Sequence, residues 1–140
     1  MAKGAIGKMT AKLKSLDHLV LTVGDIAASA RFYETVLGME IDRFNAADGT
    51  QRWALKFGHQ KINLHQSGQE FEPKARLATP GSADLCFLTD APLEAWLARF
   101  ADHDVAVIEG PVRRTGAMGP ILSLYIRDPD GNLIEVSNQV

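Results

Sequence analysis

Three side chains of this 140-residue chain are of the types that hold a divalent metal: His18 in LDHLVLT, His65 in KINLHQ and Glu135 in GNLIEV. Two neutral imidazoles and a carboxylate supply three N and O donors and leave coordination positions free, as a catalytic site requires. An ion held in this way acts as a Lewis acid on a substrate carrying two neighbouring oxygens. Glu135 serves as a metal ligand and, if it detaches as substrate binds, as the general base. Tyr125 is placed to orient a substrate oxygen. Arg114 offers a bidentate fork to a carboxylate or phosphate, and Asn63 and Ser123 are further candidates to line a substrate site. His59 and His103 stand at expected turns and are read as solvated.

The elements that must position these residues form a repeat. SLDHLVLT at 15–22 matches SADLCFLT at 82–89 in its Ser, Asp, Leu and Thr at a constant offset, and each segment leads into a helical pattern. Asp25 suits an N-cap, Ile26, Ala30, Tyr33 and Leu37 keep a core-facing spacing, and Gly38 suits the exit. In the second half Pro92 fits a first turn, followed by the stripe Leu93, Trp96, Leu97 and Phe100. Strands are expected at 39–45, 51–57 and 60–66, then at 105–109, 121–127 and 132–138, with Asp128-Pro129-Asp130-Gly131 as a turn. Residues 67–81 read as a linker. The glycine- and proline-rich stretch 110–120 reads either as a lid or as a surface crossover. Strand alternation places His18, His65, Tyr125 and Glu135 on the face opposite the helices, a binding cup if the sheet curls.

Composition bounds the rest. The chain fits one domain, 46% hydrophobic and 23% charged, without any apolar run near the roughly 20 residues that span a membrane. A net charge of -2 offers no footprint for nucleic acid or an anionic membrane. The single cysteine, Cys86, cannot form an internal disulfide, and its LCFL setting is that of a buried, inert thiol. The expected location is the cytoplasm. Residues 1–14, with Lys3, Lys8, Lys12 and Lys14, read as a frayed basic tail rather than a transit peptide.

The repeated unit, LDHLVLTVGDIAASARFYETVLGM near the start and LYIRDPDGNLIEVSN at the end, resembles the vicinal oxygen chelate superfamily, which includes glyoxalase I, extradiol dioxygenases, fosfomycin-resistance transferases and bleomycin-binding proteins. KINLHQSGQEFEPKA and EGPVRRTGAMGPILSLYIRDPDGNLIEVSN are most similar to the glyoxalase domain-containing protein 5 group. The resemblance implies an α+β fold of two tandem βαβββ modules, 15–66 and 82–138 within one domain 15–138, forming a cupped, mostly antiparallel sheet. It also implies ligands from the first and last strands of each module. His18, His65 and Glu135 match three such places, and the fourth falls on Leu85, with Asp84 and Cys86 expected on the opposite face. Glyoxalase I resembles a four-ligand pattern with a carboxylate where this chain has His65.

The function implied is a glyoxalase-like lyase or isomerase that stabilises an enediolate with Ni, Zn, Mn, Fe or Co and acts as a homodimer on a small oxygen-rich substrate, either free or thiol-conjugated. Extradiol ring cleavage or thiol transfer on the same ligands is the first alternative, and a non-enzymatic small-molecule binding or resistance protein the second.

Overall fold

Each helix and strand follows from local chemistry already visible in the chain. The computed structural model describes residues 10–140; most of the basic tail lies outside them, and residues 10–17 are exposed and without regular structure. Helix α1, Ile26–Thr35, starts where the Asp25 side chain accepts a hydrogen bond from Ala28 N at 3.1 Å. It ends in a left-handed Gly38 (φ 73°), with Gly38 N bonded to Glu34 O and Met39 N to Tyr33 O. Helix α2, Leu93–Asp102, begins after Pro92 and buries Leu93 and Phe100.

Eight strands form two separate four-stranded sheets. In module one, β1 (His18–Val23) runs parallel to β4 (Gln60–Gln66), followed outward by β3 (Gln51–Phe57) and β2 (Glu40–Asn45). In module two, β5 (Asp84–Leu88) runs parallel to β8 (Leu133–Gln139), followed by β7 (Gly119–Arg127) and β6 (Glu109–Gly116). This is the paired βαβββ architecture that the repeat implies. One face of each sheet packs inward: Leu21, Val23, Leu55, Ile62, Leu64, Leu124, Ile126, Ile134 and Val136 join Ala30, Tyr33, Leu93 and Phe100 in a single core. Among the described residues no helix is long and apolar enough to cross a membrane.

The stretch 110–120 is neither lid nor crossover. It forms most of a β-hairpin, with β6 and β7 joined by the two-residue turn Ala117-Met118, and no strand forms at 105–108. The glycines and prolines that suggested a loop mark the ends of a strand instead. Gly110 and Pro111 lie at a register shift between Glu109 and Val112, and Gly116 pairs with Gly119 across the turn. A Cβ at Gly110 would collide with the Ser123 carbonyl, so glycine lets the two strands close there.

The turn after β7 joins the modules. The buried Asp128 carboxylate accepts hydrogen bonds from Tyr33 Oη (2.6 Å), Asn132 Nδ2 (2.7 Å), Asn132 N (2.9 Å) and Asp130 N (2.9 Å). Asp130 reaches on to Gly24 N at 3.0 Å, just before α1. Asn132 Oδ1 accepts from Ala83 N at 2.8 Å. The DPDGN sequence is thus a latch between the first helix of one module and the last strand of the other.

Burial and the neighbouring Asp128 carboxylate push the Tyr33 phenol well above its ordinary range. A raised folded-state pKa contributes stability that is complete below the unfolded value near 10 and is lost as pH rises through the folded one. Chemical denaturation across alkaline pH should therefore show a fall in stability beginning near pH 10 that Tyr33→Phe flattens. Equal slopes in the two proteins would remove Tyr33 as its source.

Candidate functional site

The richest cluster lies on the open face of module two. Register pairs Tyr125 with Glu135 across β7 and β8, and Cys86 with Glu135 across β5 and β8. These three line a cavity of about 400 Å³ with Arg114, Ile121 and the hairpin turn. Ser123, fully buried, donates to Glu135 Oε2 at 2.5 Å and shares a 2.7 Å hydrogen bond with Ser137, whose hydroxyl stands 3.5 Å from the same oxygen. Ser123 therefore orients one carboxylate oxygen, and Ser137 in turn donates to Ser123. The same carboxylate faces Tyr125 and Cys86 and raises the pKa of both.

Arg114 sits on β6 and extends across the sheet. Its Nε donates to Tyr125 Oη at 2.9 Å, and its Nη2 lies 3.2 Å from Glu109 Oε1. Because the phenol oxygen already accepts from a cation, its own proton is free for another acceptor. The Tyr125 pKa is raised, first by desolvation and also by the Glu135 charge, although Arg114 works against the shift. The phenol is therefore neutral and able to donate at ordinary pH.

Cys86 is exposed rather than buried. The apolar residues around it, Leu85 and Phe87, turn to the core, while Asp84, Cys86 and Leu88 face outward. Desolvation against the sheet and the Glu135 charge hold the thiol above its usual pKa, against a 3.4 Å contact with Ser137 that lowers it. The shift favours the protonated thiol at this exposed position.

The three expected metal ligands do not come together. His18 pairs with Lys61 and Thr22 with His65, so the two imidazoles stand four residues apart on adjacent strands, about 13 Å. Glu135 belongs to the other sheet, and among the described residues no group of three His, Cys, Asp or Glu is close enough to hold a metal ion. The inward-facing residues align the two modules differently from the sequence repeat. Leu19 pairs with Ile62 in module one as Leu85 pairs with Ile134 in module two. The position equivalent to Glu135 is then Asn63, and His65 corresponds to Ser137. His18 corresponds to Asp84, not to Leu85, which faces the core. The ungapped match of SLDHLVLT with SADLCFLT is one residue out, and in a strand that exchanges faces.

His18 is itself suited to a ligand role. Its Nδ1 lies 2.9 Å from Asp17 Oδ1, a contact that fixes the ring and leaves Nε2 for another partner. His65 is placed differently. It packs edge-on to Phe71 at 5.3 Å, and its pKa is lowered by desolvation and then by Arg52. Segment 67–81 is therefore more than a linker, since Phe71 folds back against module one's sheet. His59 and His103 are exposed at a turn and a helix end, as expected.

Two βαβββ units, each with polar side chains on an open sheet face, define the structural class to which the chain belongs. The chain belongs to the Glyoxalase/Bleomycin resistance protein/Dioxygenase superfamily, whose family model matches residues 15–136. It is 56% identical over 125 residues to Virulence protein STM3117 of Salmonella typhimurium, covering 89% of this chain and 84% of that protein. It is 53% identical to Glyoxalase domain-containing protein RDO1 of Mycosarcoma maydis, covering 90% of this chain and 69% of the relative. An integron cassette protein from the mobile metagenome of V. cholerae has a similar structure, with a TM-score of 0.89 and 57% identity, covering 94% of this chain and all of that one.

Proposed function

We propose that the protein is a divalent-metal-dependent, glyoxalase-like enzyme acting on a small oxygen-rich molecule at the module-two cavity. The observation that carries this reading is Glu135, held at one oxygen by Ser123 and set across the strands from Tyr125 and Cys86 at the cavity wall. The donor chemistry fits a divalent ion in two halves: His18 on module one, Glu135 and the outward-facing Asp84 on module two. A homodimer would complete the set by setting His18 of one copy against Glu135 of the partner subunit.

When bound, the ion would supply Lewis-acid stabilisation of negative charge developing on two substrate oxygens. Glu135 is also the carboxylate that would accept a proton from carbon, because it lines the cavity beside Tyr125. Tyr125 donates its phenol proton toward a substrate oxygen. Arg114 fixes the phenol and adds positive charge at the cavity wall.

Elemental analysis after chelator-free purification tests the proposal. The wild-type protein is expected to carry or take up a divalent metal, His18→Ala to lose it, and His65→Ala to keep it. A wild-type protein that takes up none would overturn the reading and leave a metal-free binding protein in its place. A second test concerns Arg114. Removing its support from Tyr125 in Arg114→Ala should lower kcat/KM roughly tenfold to a hundredfold. Arg114→Lys should recover little, because an ammonium cannot bridge Tyr125 and Glu109 as a planar fork does. Full recovery in the lysine variant would reduce Arg114 to a charge.

A further inference from the structure

Module one has polar chemistry that the proposed reaction does not use. On the open face of β4, Asn63 Oδ1 and His65 Nδ1 are sealed from solvent with no hydrogen-bond partner. Buried polar atoms are nearly always satisfied, so two orphans on neighbouring positions of one strand face call for a partner that the chain does not supply. Both residues line a cleft of about 40 Å³ with Arg52 and Phe44. Continuing the register in which Trp53 pairs with Leu64 and Ala54 with Asn63 sets Arg52 across from His65.

Phe71 covers this corner, with the Arg52 guanidinium carbon 3.4 Å from its ring centroid and the His65 ring edge-on at 5.3 Å. Arg52 Nε and Nη2 are committed to Thr50 and Asp48, at 2.8 and 3.0 Å, which leaves Nη1 without a partner among the described residues. His65 is also a wall of a second cavity, about 350 Å³, that runs beneath segment 67–81 past Thr22 and Lys74. The cleft is of a size for a compact polar group, and the larger cavity has room for what is attached to it.

We infer that Asn63, His65 and Arg52 form a recognition site on module one for the head group of a 2-hydroxy acid. Asn63 Oδ1 can only accept, so it requires a donor, which the 2-hydroxyl provides. His65 with a proton on Nδ1 and Arg52 through Nη1 both donate, so together they require an acceptor, which a carboxylate provides. The neutral state of His65 is compatible with this, since desolvation and Arg52 both lower its pKa. The Asp48 carboxylate already pairs with Arg52 Nη2, so the cleft offers a ligand one further guanidinium donor rather than an unpaired charge. The site uses neither His18 nor Glu135, so it stands or falls independently of the metal.

Glycolate and acetate are the probes, followed by titration with NMR detection of the imidazole nitrogens of His65 in the full-length protein. Glycolate is expected to shift the His65 resonances saturably with a Kd on the order of 1 mM, a reasonable strength for five heavy atoms. Acetate, which lacks the hydroxyl, should bind about tenfold more weakly. Asn63→Leu should abolish that preference while leaving acetate binding in place, which a merely misfolded variant would not do. Arg52→Gln should weaken both ligands, and the titrations are run on chelator-treated protein so that no metal-bound glycolate contributes. Equal binding of glycolate and acetate by the wild-type protein would overturn the role of Asn63. Shifts that follow chloride as readily as glycolate, or no shift at all, would overturn the site.

Discussion

Replacing Asp128 with Ala is expected to lower the melting temperature by roughly 10 °C or more, the largest stability effect of any single polar substitution in the chain. The carboxylate is buried and accepts four hydrogen bonds, two from backbone amides and two from the side chains of Tyr33 and Asn132. Alanine would leave those donors unsatisfied. Each orphan costs about 1–3 kcal/mol before relaxation and water entry recover part of the loss, so a net cost of several kcal/mol is expected. Tyr33→Phe removes one donor and should cost only about 1–2 kcal/mol. Asp128→Asn should fall between them, because an amide keeps one accepting oxygen and turns an NH2 group toward the remaining donors. Differential scanning calorimetry on the three variants checks the order. A melting temperature for Asp128→Ala within about 2 °C of wild type would show that the latch is not under load.

Glu135→Gln should remove the chemistry while sparing the fold. Glutamine is the same size and retains an acceptor for the Ser123 hydroxyl, so the melting temperature should move by no more than a few degrees. It loses the negative charge that holds a cation and the basicity that accepts a proton. Metal affinity is expected to drop by about 100-fold or more, and turnover with it. His18→Ala should show the same loss of metal. If the homodimer supplies the site, mixing inactive His18→Ala with inactive Glu135→Gln subunits should restore a fraction of the metal-binding sites, because one of the two sites in a mixed dimer keeps both ligands. Metal retained by Glu135→Gln at wild-type affinity would rule out the carboxylate as a ligand.

Much of the fold was legible because it rests on periodicity. The strands at 51–57 and 60–66 coincide with β3 and β4, and the helix caps fall where Asp25 and Pro92 placed them. Alternation within β1, β4, β7 and β8 also assigned each side chain to the correct face. What alternation does not contain is the offset between paired strands. His18 and His65 share a face yet lie four residues out of register, and that offset is set by how β1 and β4 pair in space.

The β6–β7 hairpin was hidden for a related reason. Gly110, Pro111, Gly116 and Gly119 read locally as a loop, and only the opposing strand shows that they flank a bulge and a turn. Asp84 and Cys86 were visible as residues but were placed on the wrong face by a one-residue slip in the repeat. Counting outward from the core-facing Leu85, rather than from the matching serines, would have found both. The unpaired Asn63 and His65 atoms had no signature in the sequence, because being left without a partner is a property of three-dimensional surroundings.

The separation of the two sheets bears on how such a protein changes over time. Every strand pairing is internal to one module, and the crossing contacts are the shared core, the Phe57–Phe87 edge contact and the Asp128 latch. A substitution on one open face therefore leaves the register of the other undisturbed. The two open faces can accumulate side-chain changes without altering each other's strand pairing.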